Sequence, residues 1–161
     1  MDRRELLGLG GIAAIAGAFA AAEAASAQEA VPAAGKKVIR IFADSDGNSH
    51  VEEVPITTKA GRVFHAAAPV PATGMTYAEY QSSSTEDWHR APGRQFSVSL
   101  SGEIEVEVSG GARHKIHPGD IVFLEDLQGK GHVTRILTPV TNLFVRVPED
   151  FDLLAWARGN A

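Results

Sequence analysis

The 161-residue chain contains no cysteine, so disulfides, cysteine-ligated zinc and thiol catalysis are excluded. It has no basic surplus either: 15 Lys and Arg stand against 20 Asp and Glu, for a net charge of -5. That balance argues against non-specific nucleic-acid binding, which needs spare cations to neutralise phosphates. A strong apolar span is the third absence. The run from Leu6 to Ala22 is mostly Ala and Gly, with Leu6, Leu7, Leu9, Ile12, Ile15 and Phe19 as its large residues. A bilayer crossing needs ~20 residues of stronger hydrophobicity, so this run is weak as a permanent anchor. No internal repeat is evident.

What remains describes an ordinary globular protein. Hydrophobic residues make up 44% and charged residues 22%, which excludes a disordered chain. The length suits one domain. With 16 Gly and 8 Pro, turns are frequent, which favours β structure over a helix bundle.

The first segment reads as an address. Arg3-Arg4 precede the modest apolar run, and Ala25-Ser26-Ala27 supplies small residues at the spacing of a signal-peptidase site. The pattern resembles a twin-arginine export signal, cleaved after Ala27. Residues 1–27 are therefore expected to be removed, leaving a periplasmic or secreted bacterial protein with no stable membrane anchor. Residues 28–35 lack periodicity and read as a linker, which leaves 36–161 as the folded domain.

That domain is a series of short strands. Lys36 to Ala43 is rich in β-branched residues and stops at the turn Asp44-Ser45-Asp46-Gly47-Asn48. Further strands are expected at His50 to Thr57, Arg62 to Ala66 and Thr76 to Gln81. Arg94 to Leu100, then Ser101-Gly102, then Glu103 to Val108 reads as a hairpin. Its second arm places Ile104, Val106 and Val108 on one face and Glu103, Glu105 and Glu107 on the other. Ala112 to Ile116, Ile121 to Leu124, His132 to Leu137 and Asn142 to Val147 complete the strands. Glu149 to Arg158 is expected to form a short helix, with Phe151, Leu154 and Trp156 packing back on the sheet. Many short strands at this turn spacing make an all-β barrel or sandwich.

One segment is more specific. Trp88-His89-Arg90-Ala91-Pro92-Gly93-Arg94-Gln95 leads to Gly102, and Pro118-Gly119-Asp120 is followed by an apolar strand and then Gly129-Lys130-Gly131-His132. This order resembles the cupin superfamily, and in particular a branch of small bacterial cupins. The resemblance spans roughly residues 38–147 and implies a double-stranded β-helix, a jelly-roll-like barrel in a single domain. It places His89 at the first His of the first cupin motif, Ala91 at the second His, Gln95 at the Glu and Gly102 at the Gly; His132 falls at the His of the second motif. Ala91 has no ligating atom, Gln95 is neutral, and Glu125 stands where a Pro is expected.

The residues allow two kinds of chemistry. A divalent transition metal (Fe, Mn, Ni, Cu or Zn) would take nitrogens from His89 and His132 and the amide oxygen of Gln95, with Glu125 as the nearby carboxylate. Oxygenase activity is disfavoured, because neither three His with one Glu nor two His with one carboxylate is intact. Without a metal, His132 and Glu125 would form the catalytic acid–base pair. Equally, both histidines could be buried, neutral and hydrogen-bonded. Arg94, Lys130 and Arg135 are candidates to hold an anionic substrate, with Trp88 and Tyr77 lining the pocket. His114 and His117 read as surface residues; His50 is a weak candidate at the barrel mouth. Gly129-Lys130-Gly131 is too short for a nucleotide loop and lacks the hydroxyl residue after the Lys.

Strand alternation creates a tension at Gln95. If Gln95, Ser97 and Ser99 face the lumen, then Phe96, Val98 and Leu100 face outward and need cover from other strands or from a second subunit in a homodimer. Two functions stay open: an exported cupin enzyme acting on a small, anionic organic molecule, and a metal-free cupin that binds or senses such a ligand without turnover.

Overall fold

The computed structural model describes residues 36–160; the expected signal segment and the linker lie outside these residues. Twelve strands follow in order. They are β1 (Lys37–Ala43), β2 (Ser49–Pro55), β3 (Lys59–Ala60), β4 (His65–Ala66), β5 (Gly74–Tyr80) and β6 (Thr85–His89), then β7 (Gln95–Ser101), β8 (Ile104–Glu107), β9 (Arg113–Ile116), β10 (Ile121–Glu125), β11 (His132–Ile136) and β12 (Val140–Arg146). One short helix, α1 (Leu153–Ala157), closes the chain.

The strands form a six-stranded sheet in the order β2-β1-β10-β7-β12-β5 and a four-stranded sheet in the order β6-β11-β8-β9. β3 and β4 pair only with each other. Strands β1 and β10 run parallel, and the other pairings are antiparallel. The two sheets face each other across a lumen. The fold is an all-β, jelly-roll-like barrel of two sheets.

Two expectations about strands need correction. The hairpin between Arg94 to Leu100 and Glu103 to Val108 does not form: Ser101-Gly102 carries the chain from one sheet to the other, and β8 pairs with β11 and β9. A two-residue link between alternating strands has hairpin form. Burying Ile104 and Val106 against the opposite wall outweighs that local pairing. Arg62 to Ala66 shrinks to the two-residue β4, because Gly61 and Phe64 close a turn.

The core has two layers. Inside the barrel, Ile39, Ile41, Ile104, Val106, Ile116, Val122 and Ile136 pack together. Outside the six-stranded sheet, Phe96, Phe123, Phe151, Leu153 and Trp156 form a second cluster beneath α1. The Phe96 and Phe123 rings lie 4.8 Å apart, and Phe96 meets Trp156 at 5.6 Å nearly edge-on, the arrangement favoured by ring quadrupoles. Asp152 caps α1 by accepting from the backbone N–H of Ala155 at 3.0 Å. The indole of Trp156 donates to the carbonyl of Ala68 at 2.8 Å. The helix buries Leu153 and Trp156, whereas Leu154 is only half-buried.

This second layer resolves the tension at Gln95. Gln95 and Ser97 face the lumen while Phe96 packs under α1, so the chain covers both faces of this part of β7 by itself. A second subunit is not needed to cover Phe96. Truncation of Phe123, which is fully buried at the centre of the aromatic layer, is expected to cost about 3–5 kcal/mol. Chemical unfolding of Phe123→Ala measures this; a loss under about 1 kcal/mol would mean that the layer does not hold the sheet.

Candidate functional site

The two sheets enclose a cavity of about 470 Å³. Its wall is largely apolar, built from inward residues such as Ile41, Ile104, Val106, Val122 and Ile136. Against this background a few polar groups stand out: His89, His132, Gln95, Glu86, Arg90 and Tyr80.

His89 and His132 are register partners on β6 and β11, with ring centroids 4.4 Å apart. Between His132 and Thr134 on β11, strand β6 fits an extra residue, so that Thr134 pairs with Glu86. The bulge re-aims the side chains and puts both His89 and Glu86 on the lumen wall. His89 Nδ1 lies 2.8 Å from the carbonyl of Asp87. His132 Nδ1 lies 2.6 Å from Asp126 Oδ2, where Asp126 has no exposed surface and His132 only 3%. A carbonyl or carboxylate oxygen accepts, so each Nδ1 donates, and in the neutral imidazole the lone pair is then on Nε2. Glu86 Oε2 is 3.5 Å from His89 Nε2. Burial, and then the charge of Glu86, raise the Tyr80 hydroxyl above its ordinary value, so it stays protonated in the cavity.

The loop between β10 and β11 sets this geometry. Ser49, buried on β2, donates to the carbonyl of Gly131 at 2.6 Å. Gly131 adopts a left-handed φ of +78°, and a Cβ there would collide with the carbonyl oxygen of His89. Gly129, at φ +72°, lies equally close to Gly47 in the β1–β2 turn. The segment Gly129-Lys130-Gly131 thus serves close backbone packing.

The expected site residues separate into two groups. His89, Gln95 and His132 line one cavity, and Gln95 is buried there. The others point elsewhere. Glu125 accepts from Arg40 and, at 3.1 Å, from Arg94 on the outer side of the sheet, so it is not the partner of His132; Asp126 is. Arg94 is further tied to the carbonyl of Glu149. Lys130 sits 3.6 Å over the ring of Trp88, and neither lines the barrel cavity. Arg135 pairs with Glu107 at 2.7 Å and with Glu105 at 3.6 Å. The cations expected to hold an anion are therefore engaged away from the lumen. Tyr77 is exposed on the outer face, and Tyr80 takes the lining place. His50 is exposed and bound to Asp44 at 2.7 Å, a contact that leads in lowering the Asp44 carboxyl to about 2.

Three features escaped the sequence reading: Asp126, Glu86 and the bulge. Alternation could have found Asp126, because Leu124 faces the lumen and Asp126 falls two residues on. Glu86 is the sole carboxylate among the lining residues of this cavity. Among the described residues, no group of three or more His, Asp or Glu side chains is arranged to hold a metal.

No family model matches the chain. Over 120 residues it is 22% identical to an (R)-mandelonitrile lyase from Granulicella tundricola, covering 74% of this chain and 91% of that protein. It is similar to the solved structure of an RmlC-like cupin protein from Desulfovibrio desulfuricans, at 14% identity and a TM-score of 0.36, over 68% of this chain and 80% of that one. A cupin-2 domain protein from Shewanella frigidimarina gives 9% identity and a TM-score of 0.38, over 53% and 86%.

Gly131→Ala is expected to lower the melting temperature by several degrees, since left-handed backbone costs about 1–2 kcal/mol before the collision with His89 is counted. It should also shift the ring resonances of both histidines in NMR spectra. Unchanged melting and unchanged resonances would mean that Gly131 does not set the apposition of the two rings.

Proposed function

We propose that the chain is an exported small-molecule cupin that takes a compact organic molecule into its barrel and acts on the polar head of that molecule at the His89–His132 pair. One observation carries this reading. A buried imidazole, oriented by a fully buried carboxylate, keeps a free nitrogen on the wall of a largely apolar cavity. A general base needs such an arrangement, with one ring nitrogen held and the other available. The cavity is of a size that suits a small ligand. Because Arg94, Lys130 and Arg135 are engaged outside the lumen, the favoured ligand is neutral rather than anionic.

The relative named as an (R)-mandelonitrile lyase supports lyase chemistry on an aromatic 2-hydroxynitrile. The aromatic body would pack on the apolar wall. The hydroxyl proton would pass to Nε2 of His132 while the carbon–cyanide bond breaks and its electron pair leaves with the cyanide. The aldehyde carbonyl forms from the former hydroxyl carbon. The proton on His132 then passes to cyanide, so the products are an aldehyde and hydrogen cyanide. Asp126 holds the ring and stabilises the imidazolium formed between these steps. Tyr80 contributes a protonated hydroxyl to the same wall.

A divalent transition metal here would rest on His89 and His132, whose Nδ1 atoms are both engaged behind the rings, with Gln95 on the same cavity as a third, neutral donor; Ala91 offers nothing. His89, Gln95 and His132 would hold Fe, Mn, Ni, Cu or Zn, which when bound would polarise a substrate oxygen. Export rests on Arg3-Arg4 and Ala25-Ser26-Ala27.

The deciding experiment follows benzaldehyde release from mandelonitrile by the parent protein, His132→Ala and Asp126→Asn. Turnover by the parent, reduced about a hundredfold or more in His132→Ala with melting unchanged, is the expected result. Binding without turnover, altered only in affinity by His132→Ala, would replace the enzyme with a non-catalytic ligand-binding cupin. Elemental analysis of protein purified without chelator tests the metal separately. About one equivalent, lost in both His89→Ala and His132→Ala, is expected if the three residues hold it. None after reconstitution, with all three proteins folded, would remove the metal from the proposal.

A further inference from the structure

The inner wall of β7 and β12 carries polar groups that the reading above does not use. Ser97, Ser99 and Asn142 are uncharged, and each is at most 7% exposed. Asn142 Nδ2 donates to Ser97 Oγ at 3.2 Å. Asn142 Oδ1 and Ser99 Oγ, in contrast, have no hydrogen-bond partner among the described residues. Leaving such atoms unpaired in an apolar interior costs about 1–3 kcal/mol each, and native proteins rarely do so without a reason.

Their position is informative. Residues 90–94 join His89 to Gln95, so β7 starts at the histidine end of the barrel. It then runs toward Ser101, which leads to Ile104 on the far wall. Asn142 is the register partner of Ser99 and reaches diagonally to Ser97. The Ser97–Asn142 pair therefore stands farther along the barrel than Gln95, by roughly 7 Å for the two residues from Gln95 to Ser97. Both residues line the same cavity as His89 and His132. Ile104, Ile116 and Ile136 line this cavity too and offer the pair no polar contact.

We infer that Ser97 and Asn142 form a second recognition point, which selects ligands carrying a hydrogen-bonding group at the end remote from the head held by the histidines. This inference rests on the proposed function and sharpens it. The ligand class becomes a para-hydroxylated aromatic, or a molecule of similar length with a hydroxyl at its tail. Such a hydroxyl accepts from the Ser97 O–H, which Asn142 orients and which has no acceptor of its own among the described residues. Specificity of this kind is strong, because an analogue lacking the hydroxyl leaves the protein atom unsatisfied.

Titration calorimetry with benzyl alcohol and 4-hydroxybenzyl alcohol tests this, using the parent protein, Asn142→Leu and His132→Ala. The extra hydroxyl makes the second probe more water-loving, so simple apolar burial would favour the first. The parent is expected to bind 4-hydroxybenzyl alcohol about tenfold more tightly. In Asn142→Leu the two affinities should become equal, while the melting temperature without ligand stays level or rises. Equal affinities in the parent, with both weakened by His132→Ala, would overturn the second recognition point and leave the proposed site standing. Failure of both probes to bind, or indifference to His132→Ala, would overturn the proposed site and this inference with it. If Asn142→Leu melts well below the parent, Ser97→Ala, which removes only a hydroxyl, replaces it under the same criterion.

Discussion

Asp126 has no exposed surface, and a carboxylate in such a place is tolerated only if interior groups satisfy it. His132 does so through Nδ1 at 2.6 Å, and much of the surrounding backbone is arranged to keep the two in register. The chain must leave β10, bury Asp126 and return at once as β11. It manages this by laying Gly129 against Gly47 and Gly131 against His89. Ser49 fastens the return through the carbonyl of Gly131, and Ser49 is itself tied to Ser109 by the backbone N–H at 2.9 Å. Removing either member of the buried pair would leave the other desolvated and unpaired, which costs more than the pair itself contributes. The interaction is therefore weak evidence of stability and stronger evidence of a constraint on geometry.

A lumen with unpaired polar atoms needs its stability from elsewhere. The six-stranded sheet provides it by burying its outer face under Phe151, Leu153 and Trp156. An antiparallel sheet commonly covers one face and leaves the other to water. Here β10 and the first half of β7 have both faces covered, with aromatic rings outside and a mixed polar wall inside. The division frees Gln95, Ser97 and Asn142 from any packing role. Their polarity opposes apolar packing locally, as functional positions often do while the remaining fold is internally consistent.

The legible and illegible parts of this molecule differ in kind. Alternation in Glu103 to Val108 predicted which side chains face the lumen, since Ile104 and Val106 line it and Glu105 and Glu107 face outward to Arg113 and Arg135. It could not tell which strand would be the neighbour, because pairing across two sheets depends on burial between residues far apart in sequence. The segments Trp88 to Gln95 and Gly129 to His132 picked out His89, Gln95 and His132, which line one cavity. It could not pick out Glu86, whose orientation depends on a bulge in the polar strand Thr85–His89. Glu125, expected to partner His132, is replaced in that role by the adjacent acid Asp126. Adjacent residues of a strand face opposite ways, and here that separates an ion-paired outer residue from a buried inner one.

Charge is distributed so as to narrow what the barrel can accept. Arg40 joins Glu52 and Glu125, Arg94 joins Glu125, and Arg113 and Arg135 face Glu105 and Glu107, all outside the lumen. Of the residues lining the cavity, Glu86 and Arg90 carry fixed charges, and both are exposed at its edge. A deeply bound anion would thus lose its hydration without meeting a buried cation, at a cost that grows steeply in an apolar medium. A neutral molecule incurs no such penalty and can become charged only where a proton is handed over. The available acceptor is the free nitrogen of His132, with the carboxylate of Asp126 behind it to stabilise the resulting cation. On the proposed function the apolar wall and the buried dyad act together: the first excludes ligands that arrive ionised, and the second supports charge that develops after binding.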